Sequence, residues 1–249
     1  MAEAVAALAA AGAQALSGGQ TLTPTMKQRL ATPAVLVSLN GIAALKGVSV
    51  AGGVMTIGAA TTHAVVAAEA GAFPALAKLA GGIGDPAVRN RGTIGGSLAN
   101  NDPAACYPSA VLACGATVVT SKREIAAADY FQGLFTTVLD DGEIITAVRF
   151  PIPEQASYQK FEQPASRFAL TAAFVAKYPG GVRVAITGAS ENGVFRWGEA
   201  EAALSGDFSA AALAPVVLAE GPLIADLHGS KAYRAALAKV MVQRAVAAA

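Results

Sequence analysis

This chain is poor in cysteine and in charge, and each shortage closes off a class of function. Its 249 residues include only two cysteines, Cys106 and Cys114. Two thiols are too few for the disulfide framework of a secreted domain, and they cannot by themselves hold a metal ion or an iron–sulfur cluster. Charged residues make up 14% of the chain, with 18 Lys and Arg against 17 Asp and Glu. The resulting balance of +1 offers neither a basic face for nucleic acid nor a polybasic patch for a membrane surface.

Long lipid-facing runs are also missing. Residues 47–68 contain no Asp, Glu, Lys or Arg, but Gly47, Gly52, Gly53 and Gly58 interrupt them, and Ser49, Thr56, Thr61 and Thr62 bring hydroxyls. That pattern predicts strands and turns, not a membrane helix. Met1 to Ala11 is alanine-rich, includes Glu3 and lacks a basic start with a strong apolar core, so the expected location is cytoplasmic. No Gly-x-x-x-x-Gly-Lys run occurs, which removes support for a nucleotide triphosphatase. Gly82-Ile83-Gly84-Asp85-Pro86-Ala87 matches the nicotinamide fingerprint G-x-G-x-x-A only formally. It follows an expected helix over 73–80 instead of a strand, and Pro86 interrupts what comes next.

What the chain has in excess is apolar surface: 54% hydrophobic residues and a mean hydropathy of +0.48. Burial in subunit contacts and a general alanine bias both account for this. The length allows one large domain or two small ones. Early elements are expected as a helix over 3–12, a strand over 14–16, a helix from Thr23-Pro24 to about Ala31, a strand over 35–39, and a hairpin of 48–50 with 54–58. A helix capped by Thr61 or Thr62 follows, then a helix over 108–114 and strands over 116–120 and 143–150. Pro151 and Pro153 mark the expected boundary between domains 1–152 and 153–249. Beyond it, antiparallel strands are predicted at 158–163, 168–178 and 182–189. A C-terminal amphipathic helix then buries Tyr233, Leu237, Val240 and Met241, with Arg234, Lys239 and Arg244 on other faces. The whole is an α+β layout.

Two glycine-rich stretches carry the chemistry. Around 84–108, the run GDPAVRNRGTIGGSLANNDPAACYP places Arg89 and Arg91 beside Gly92, Thr93, Ile94, Gly95, Gly96 and Ser97. Gly92, Gly95 and Gly96 can take positive φ and let a ligand approach the backbone, while Thr93 and Ser97 add hydroxyls. Near the N-terminus, Leu16-Ser17-Gly18-Gly19-Gln20-Thr21-Leu22 offers a second nest of amides. Two nests suit a dinucleotide better than a single phosphate. Asp102 reads either as an acceptor for a ribose or as a cap for a helix after Pro103. Cys106 and Cys114 read as small core residues, His63 and His228 as structural histidines, and Trp197 as a packing residue.

LSGGQTL together with RNRGTIGGSLANNDPAACYP resembles the FAD-binding medium subunit of molybdenum hydroxylases, the family that includes carbon monoxide and bacterial xanthine dehydrogenases. TPTMKQRLATPAVLVSLNGI, AGGVMTIGAATTHAVV, KFEQPASRFAL at 160–170 and HGSKAYRAALAKVMVQRAV at 228–246 extend the likeness over nearly the whole chain. The resemblance implies a two-subdomain FAD-binding domain of the vanillyl-alcohol-oxidase type, with subdomains at about 1–46 and 47–152, followed by a smaller C-terminal domain with an antiparallel sheet.

It also implies that Ser17 to Leu22, with Thr93, Ile94, Gly95, Gly96 and Ser97, cradle the FAD pyrophosphate. Asn100, Asp102 and Ile145 are then further cofactor contacts, and Lys160 is a cation beside the flavin. Many relatives carry Asp where this chain has Cys106. The implied partners are a small [2Fe–2S] subunit, a large molybdopterin subunit and an electron acceptor, and the implied activity is that of an oxidoreductase component. Two alternatives stand beside this reading. One is a self-sufficient flavin oxidase or dehydrogenase, for which a clustered Tyr, His or Arg pocket is missing from the second domain. The other is a flavin-free scaffold subunit.

Overall fold

A computed structural model describes residues 1–249. The N-terminal segment runs α1 (Ala2–Leu8), β1 (Ala13–Leu16), α2 (Leu22–Lys27) and β2 (Val35–Ser38), with β1 and β2 paired in parallel as a two-stranded sheet. A small apolar cluster seals it, in which Ala4, Val37 and Leu39 meet Leu45, Ala60 and Ile144.

Residues 48–151 form β3 (Val48–Ala51), β4 (Val54–Gly58), α3 (His63–Glu69), α4 (Pro74–Gly81), α5 (Pro86–Arg89), α6 (Ile94–Asn100), α7 (Tyr107–Ala113), β5 (Thr117–Thr120), β6 (Glu124–Ala126), α8 (Ala127–Tyr130) and β7 (Ile145–Pro151). Their five strands are ordered β3-β4-β7-β5-β6, antiparallel throughout. Gly52 (φ 55) and Gly53 (φ 75) form the β3–β4 turn, since two successive left-handed residues give the twist that a tight hairpin needs. Thr62 caps α3 through its side chain, and Asp85 caps α5 with Pro86 in the first turn. The Gly82–Ala87 stretch is therefore a helix–turn–helix junction and not a dinucleotide fingerprint.

The last part comprises β8 (Gln155–Glu162), β9 (Ala169–Tyr178), β10 (Gly181–Thr187), β11 (Phe195–Arg196), α9 (Gly198–Gly206) and α10 (Lys231–Ala247). Its four-stranded antiparallel sheet has the order β11-β10-β9-β8. Strand β9 is buried on both faces from Ala169 to Ala176, which is why its sequence there is apolar at every position but Thr171 instead of alternating. One face of the sheet joins the core beneath the five-stranded sheet, where Phe174 meets Phe73 edge-on at 6.0 Å. The other face packs on α9 and α10.

Two expectations change here. Arg234 is 3% exposed, on the inner face of α10, where it donates to the carbonyls of Leu170 (2.6 Å) and Gly188 (2.9 Å) and to Asp226 (2.7 Å). It closes the exposed end of the β9–β10 ladder, whereas Tyr233 is 43% exposed; the three bonds from its two terminal nitrogens offset the cost of burying the charge, and Nε is left without a partner. The stretch after Pro103 is a turn, in which Asp102 Oδ1 accepts the amide of Ala104 at 2.8 Å, and the next helix begins only at Tyr107.

Candidate functional site

Beyond Leu16 the chain leaves the parallel pair through Ser17–Thr21 before α2 begins. Gly19 takes φ +69 here. The amides of Ser17 through Thr21 donate to no backbone carbonyl and to no side chain of the protein. Such amides are strong donors left for a ligand or water. The loop is held from behind: Asn40 Nδ2 donates to the Ser17 carbonyl at 2.8 Å, and Gln20 Nε2 donates to the Gly18 carbonyl at 3.3 Å.

Across from it lies the loop between α5 and α6. Ser17 Oγ and Thr93 Oγ1 are 2.9 Å apart, linking the two glycine stretches directly. Gly18 is pressed onto the Arg91–Gly92 backbone so closely that a Cβ there would lie 2.7 Å from Gly92 Cα and 2.8 Å from the Arg91 carbonyl carbon. The second stretch differs from expectation. Gly92, Gly95 and Gly96 all lack positive φ, and Thr93 caps a helix, α6, that its glycines do not advertise. The amides of Gly95, Gly96 and Ser97 are already used, by the Ala59 carbonyl (2.9 Å), Thr93 Oγ1 (3.2 Å) and the Thr93 carbonyl (3.0 Å). Gly92 and Gly95 serve close packing: a Cβ on Gly92 would meet His63 Nε2 at 2.6 Å, and one on Gly95 would meet Ala59 Cβ at 2.6 Å.

Between the loops opens a cavity of about 890 Å³, near the upper end of the roughly 300–1,000 Å³ typical of small-molecule and cofactor sites. Its wall includes Ser17 to Leu22, Thr93, Gly95, Gly96, Ser97, Asn100, Asp102 and Ile145. Of the expected site residues, Ile94 and Lys160 stand apart. Ile94 is fully buried in the core.

Lys160 is 6% exposed at its side chain, so it is not a solvated strand lysine, and it sits behind the wall. Its ammonium donates to the carbonyls of Gly82 (2.6 Å) and Arg167 (3.0 Å), and Glu162 lies 3.3 Å away. It thereby ties β8 to two segments that reach the cavity through Ile83–Gly84 and Arg167. Arg89 is likewise occupied by the Ile83 and Gly84 carbonyls, and neither it nor Arg91 lines the cavity. Arg167 is the one lysine or arginine on the wall. An anion here is met by backbone amides and hydroxyls more than by side-chain cations.

Several wall residues gave no signal in the sequence. Leu45, Ala59 and Ala60 add an apolar surface that continues the one made by Ile144 and Ile145, and Arg167 with Phe168 brings in the β8–β9 turn. Glu143 is another; its side chain is fully buried against Arg123. Burial alone would raise its carboxyl, yet the Arg123 guanidinium, the Thr120 hydroxyl and the Asp140 amide bring it down to about 2. Cys106 lies on the wall with its thiol pushed up by burial, which keeps it protonated and unreactive.

His63 on the same wall is shifted as well. It is 5% exposed, stacks obliquely on Tyr107 at 5.3 Å and leaves Nδ1 without a partner. Burial first, and the Arg89 charge second, push its pKa from 6.5 down to about 4. Unfolded chains therefore take up a proton that the folded one refuses. The stability this group contributes is complete above about pH 6.5 and is lost as pH falls toward 4, by ~3 kcal/mol in all. Glu143 loses its contribution only at lower pH. Urea midpoints at pH 7 and pH 4.5 should thus separate more in the wild type than in His63→Gln; equal separations would show that His63 is not the responsible group.

A sequence-family profile described as the FAD binding domain in molybdopterin dehydrogenase matches residues 1–153. The carbon monoxide dehydrogenase medium chain of Afipia carboxidovorans is 35% identical over 269 residues, covering 99% of this chain and 92% of that one. The nicotine 6-hydroxylase medium subunit of Paenarthrobacter nicotinovorans is 33% identical, covering 93% of this chain and 87% of that one. In three dimensions the chain superposes on a subunit of reconstituted CO dehydrogenase from Oligotropha carboxidovorans with a TM-score of 0.90 at 34% identity, covering 99% and 93% of the two chains.

Proposed function

The chain belongs to the family of FAD-binding domains of molybdopterin dehydrogenases, and from that membership we propose that it is the FAD-carrying electron-transfer subunit of a multi-subunit molybdenum hydroxylase. Its partners are a small [2Fe–2S] subunit, from which electrons arrive, and a large molybdopterin subunit, where substrate is oxidised. Bound FAD supplies reversible redox chemistry between a donor and an external acceptor. The protein supplies the binding and orientation.

The observation that carries this reading is the donor set. Five consecutive amides, Ser17 to Thr21, lack partners inside the protein and face a cavity large enough for a dinucleotide. A pyrophosphate suits them, because each of its oxygens accepts several hydrogen bonds and its charge strengthens them. Thr93 Oγ1 and Ser17 Oγ fix the spacing of the two loops at the point where the phosphates are held. Asn100 and Asp102 offer polar contacts to a sugar, and Ile144 and Ile145 an apolar surface to a ring. Lys160 holds the Gly82 and Arg167 loops and so orients the wall without touching the ring. Of the other carboxylates on the same wall, Glu143 is paired with Arg123 and Asp85 accepts the Val88 amide.

We also propose the division into domains 1–152 and 153–249, the first with subdomains at about 1–46 and 47–152 that face each other across the cavity in the vanillyl-alcohol-oxidase manner. The separate sheets of these three segments support it. No helix is long and apolar enough to cross a membrane.

Co-expression with the two partner subunits tests the role. A dimer of heterotrimers, a heterohexamer with two copies of each subunit and one FAD per copy of this chain, is expected by native mass spectrometry. The isolated FAD-loaded chain is expected to be reduced by dithionite but by no organic substrate. If the isolated chain oxidises an organic substrate unaided, the self-sufficient oxidase is the better reading.

A further inference from the structure

His63 keeps a buried ring whose two nitrogens differ in their surroundings. Nδ1 is sealed inside the protein without a hydrogen bond. Nε2 also bonds to nothing in the protein, but it is not sealed, and the residue lines the cavity. The ring is held in place. The His63 amide donates to the Gly92 carbonyl at 2.9 Å, Tyr107 lies against the imidazole, and a Cβ on Gly92 would meet Nε2 at 2.6 Å and Cδ2 at 2.9 Å.

These contacts set Nε2 at the junction of the two loops. Gly92 is the residue onto which Gly18 presses from across the gap, and the next residue, Thr93, meets the Ser17 hydroxyl at 2.9 Å. A neutral imidazole carries one N–H. Placed on Nδ1, that proton would be buried with no acceptor; placed on Nε2, it opens on the cavity, where a ligand oxygen accepts it. The fold therefore favours the Nε2–H tautomer, and burial with the Arg89 charge keeps the ring neutral at pH 7.

We propose that His63 is a further ligand of the FAD pyrophosphate, donating Nε2–H to a phosphate oxygen where the two loops meet. This rests on the proposed function above and adds a side-chain donor to the amides of Ser17 to Thr21. Position selects the phosphate over the sugar or the ring. His63 abuts Gly92, Gly92 touches Gly18, and Gly18 belongs to the run of free amides. The choice of donor follows from the same wall, which holds Arg167 as its one lysine or arginine. A neutral N–H meets an anion without leaving an unpaired buried charge when the cavity is empty.

The test compares apo wild type with His63→Leu and His63→Gln. Leucine suits a buried site but donates nothing, whereas the glutamine amide carries an N–H to a reach comparable with that of Nε2. FAD affinity is expected to fall about tenfold or more in His63→Leu and to recover to within about threefold of wild type in His63→Gln. If His63 only packed, leucine would serve as well as glutamine. The chain has two histidines, so labelling their ring nitrogens gives two sets of resonances, and His63→Gln assigns one by its loss. The Nε2–H tautomer is expected before FAD is added, with the Nε2–H resonance moving on binding and Nδ1 left unprotonated. Wild-type affinity in His63→Leu, or an Nε2–H resonance indifferent to FAD, overturns this ligand and leaves the subunit role standing. A His63→Gln chain that is folded yet binds as weakly as His63→Leu overturns it too. If wild type takes up no FAD, the ligand and the subunit role fall together.

Discussion

Gly18→Ala is expected to weaken FAD binding at least a hundredfold while leaving most of the fold standing. The added methyl would fall on the Arg91 carbonyl oxygen and lie 2.7 Å from Gly92 Cα. Both are backbone atoms, so no side chain can swing aside, and the two loops must separate. That movement breaks the 2.9 Å contact of Ser17 Oγ with Thr93 Oγ1 and displaces the five free amides together. A hundredfold loss corresponds to about 2.7 kcal/mol, a reasonable cost for misplacing several charge-assisted hydrogen bonds at about 1.5–3 kcal/mol each. The main cores lie elsewhere, so circular dichroism should remain close to that of wild type. A folded variant with wild-type flavin affinity would remove the pyrophosphate from this loop.

Gly95→Val acts on the fold instead. Its side chain would begin 2.6 Å from Ala59 Cβ and 2.8 Å from the Ala59 carbonyl oxygen, and the Gly95 amide donates to that same oxygen at 2.9 Å. Overpacking costs about 1–3 kcal/mol and a lost buried hydrogen bond about 1–3 more. The expected loss is therefore ~3 kcal/mol or greater, seen as a melting temperature lowered by about 10 °C for a chain of this size. Gly96→Ala is the control, because there the new methyl meets only Thr93 Oγ1 at 3.0 Å and Ser17 Cβ at 4.0 Å. A Gly95→Val variant that melts with the wild type would contradict the tight contact between α6 and Ala59, the residue after β4.

These two glycines show how far the sequence could be read. LSGGQTL announced a turn with accessible amides, and the loop does take a left-handed glycine at Gly19. RNRGTIGG announced glycines but not their purpose. A glycine needed for positive φ and one needed for close packing look alike in one dimension, and the second kind depends on what lies across from it, here Ala59 and Arg91. The helix α6 was hidden for the same reason, since Gly95 and Gly96 are poor helix formers that tertiary contact overrides. Elements with local signals were plain: the β3–β4 hairpin from its glycine pair, β9 from its apolar run, and α7 from Tyr107-Pro108.

Long-range polar partners left no trace. Arg234 reads as a solvated helix arginine until Leu170 and Gly188, far off in sequence, present their carbonyls. Lys160 reads as a cofactor cation until Gly82 does the same. His63 carried no ligand-like neighbours, and only the fold brings it onto the cavity wall beside Gly92.

The central claim is that the cavity between the Ser17–Thr21 and Arg91–Thr93 loops holds FAD without a covalent bond. Its most direct test is a flavin titration of the apo chain, followed by acid precipitation. One FAD per chain is expected to bind and to appear in the supernatant on precipitation, because burial keeps the Cys106 thiol protonated and the His63 imidazole neutral. A chain that stays colourless in excess FAD, or flavin that remains on the precipitated protein, would contradict it.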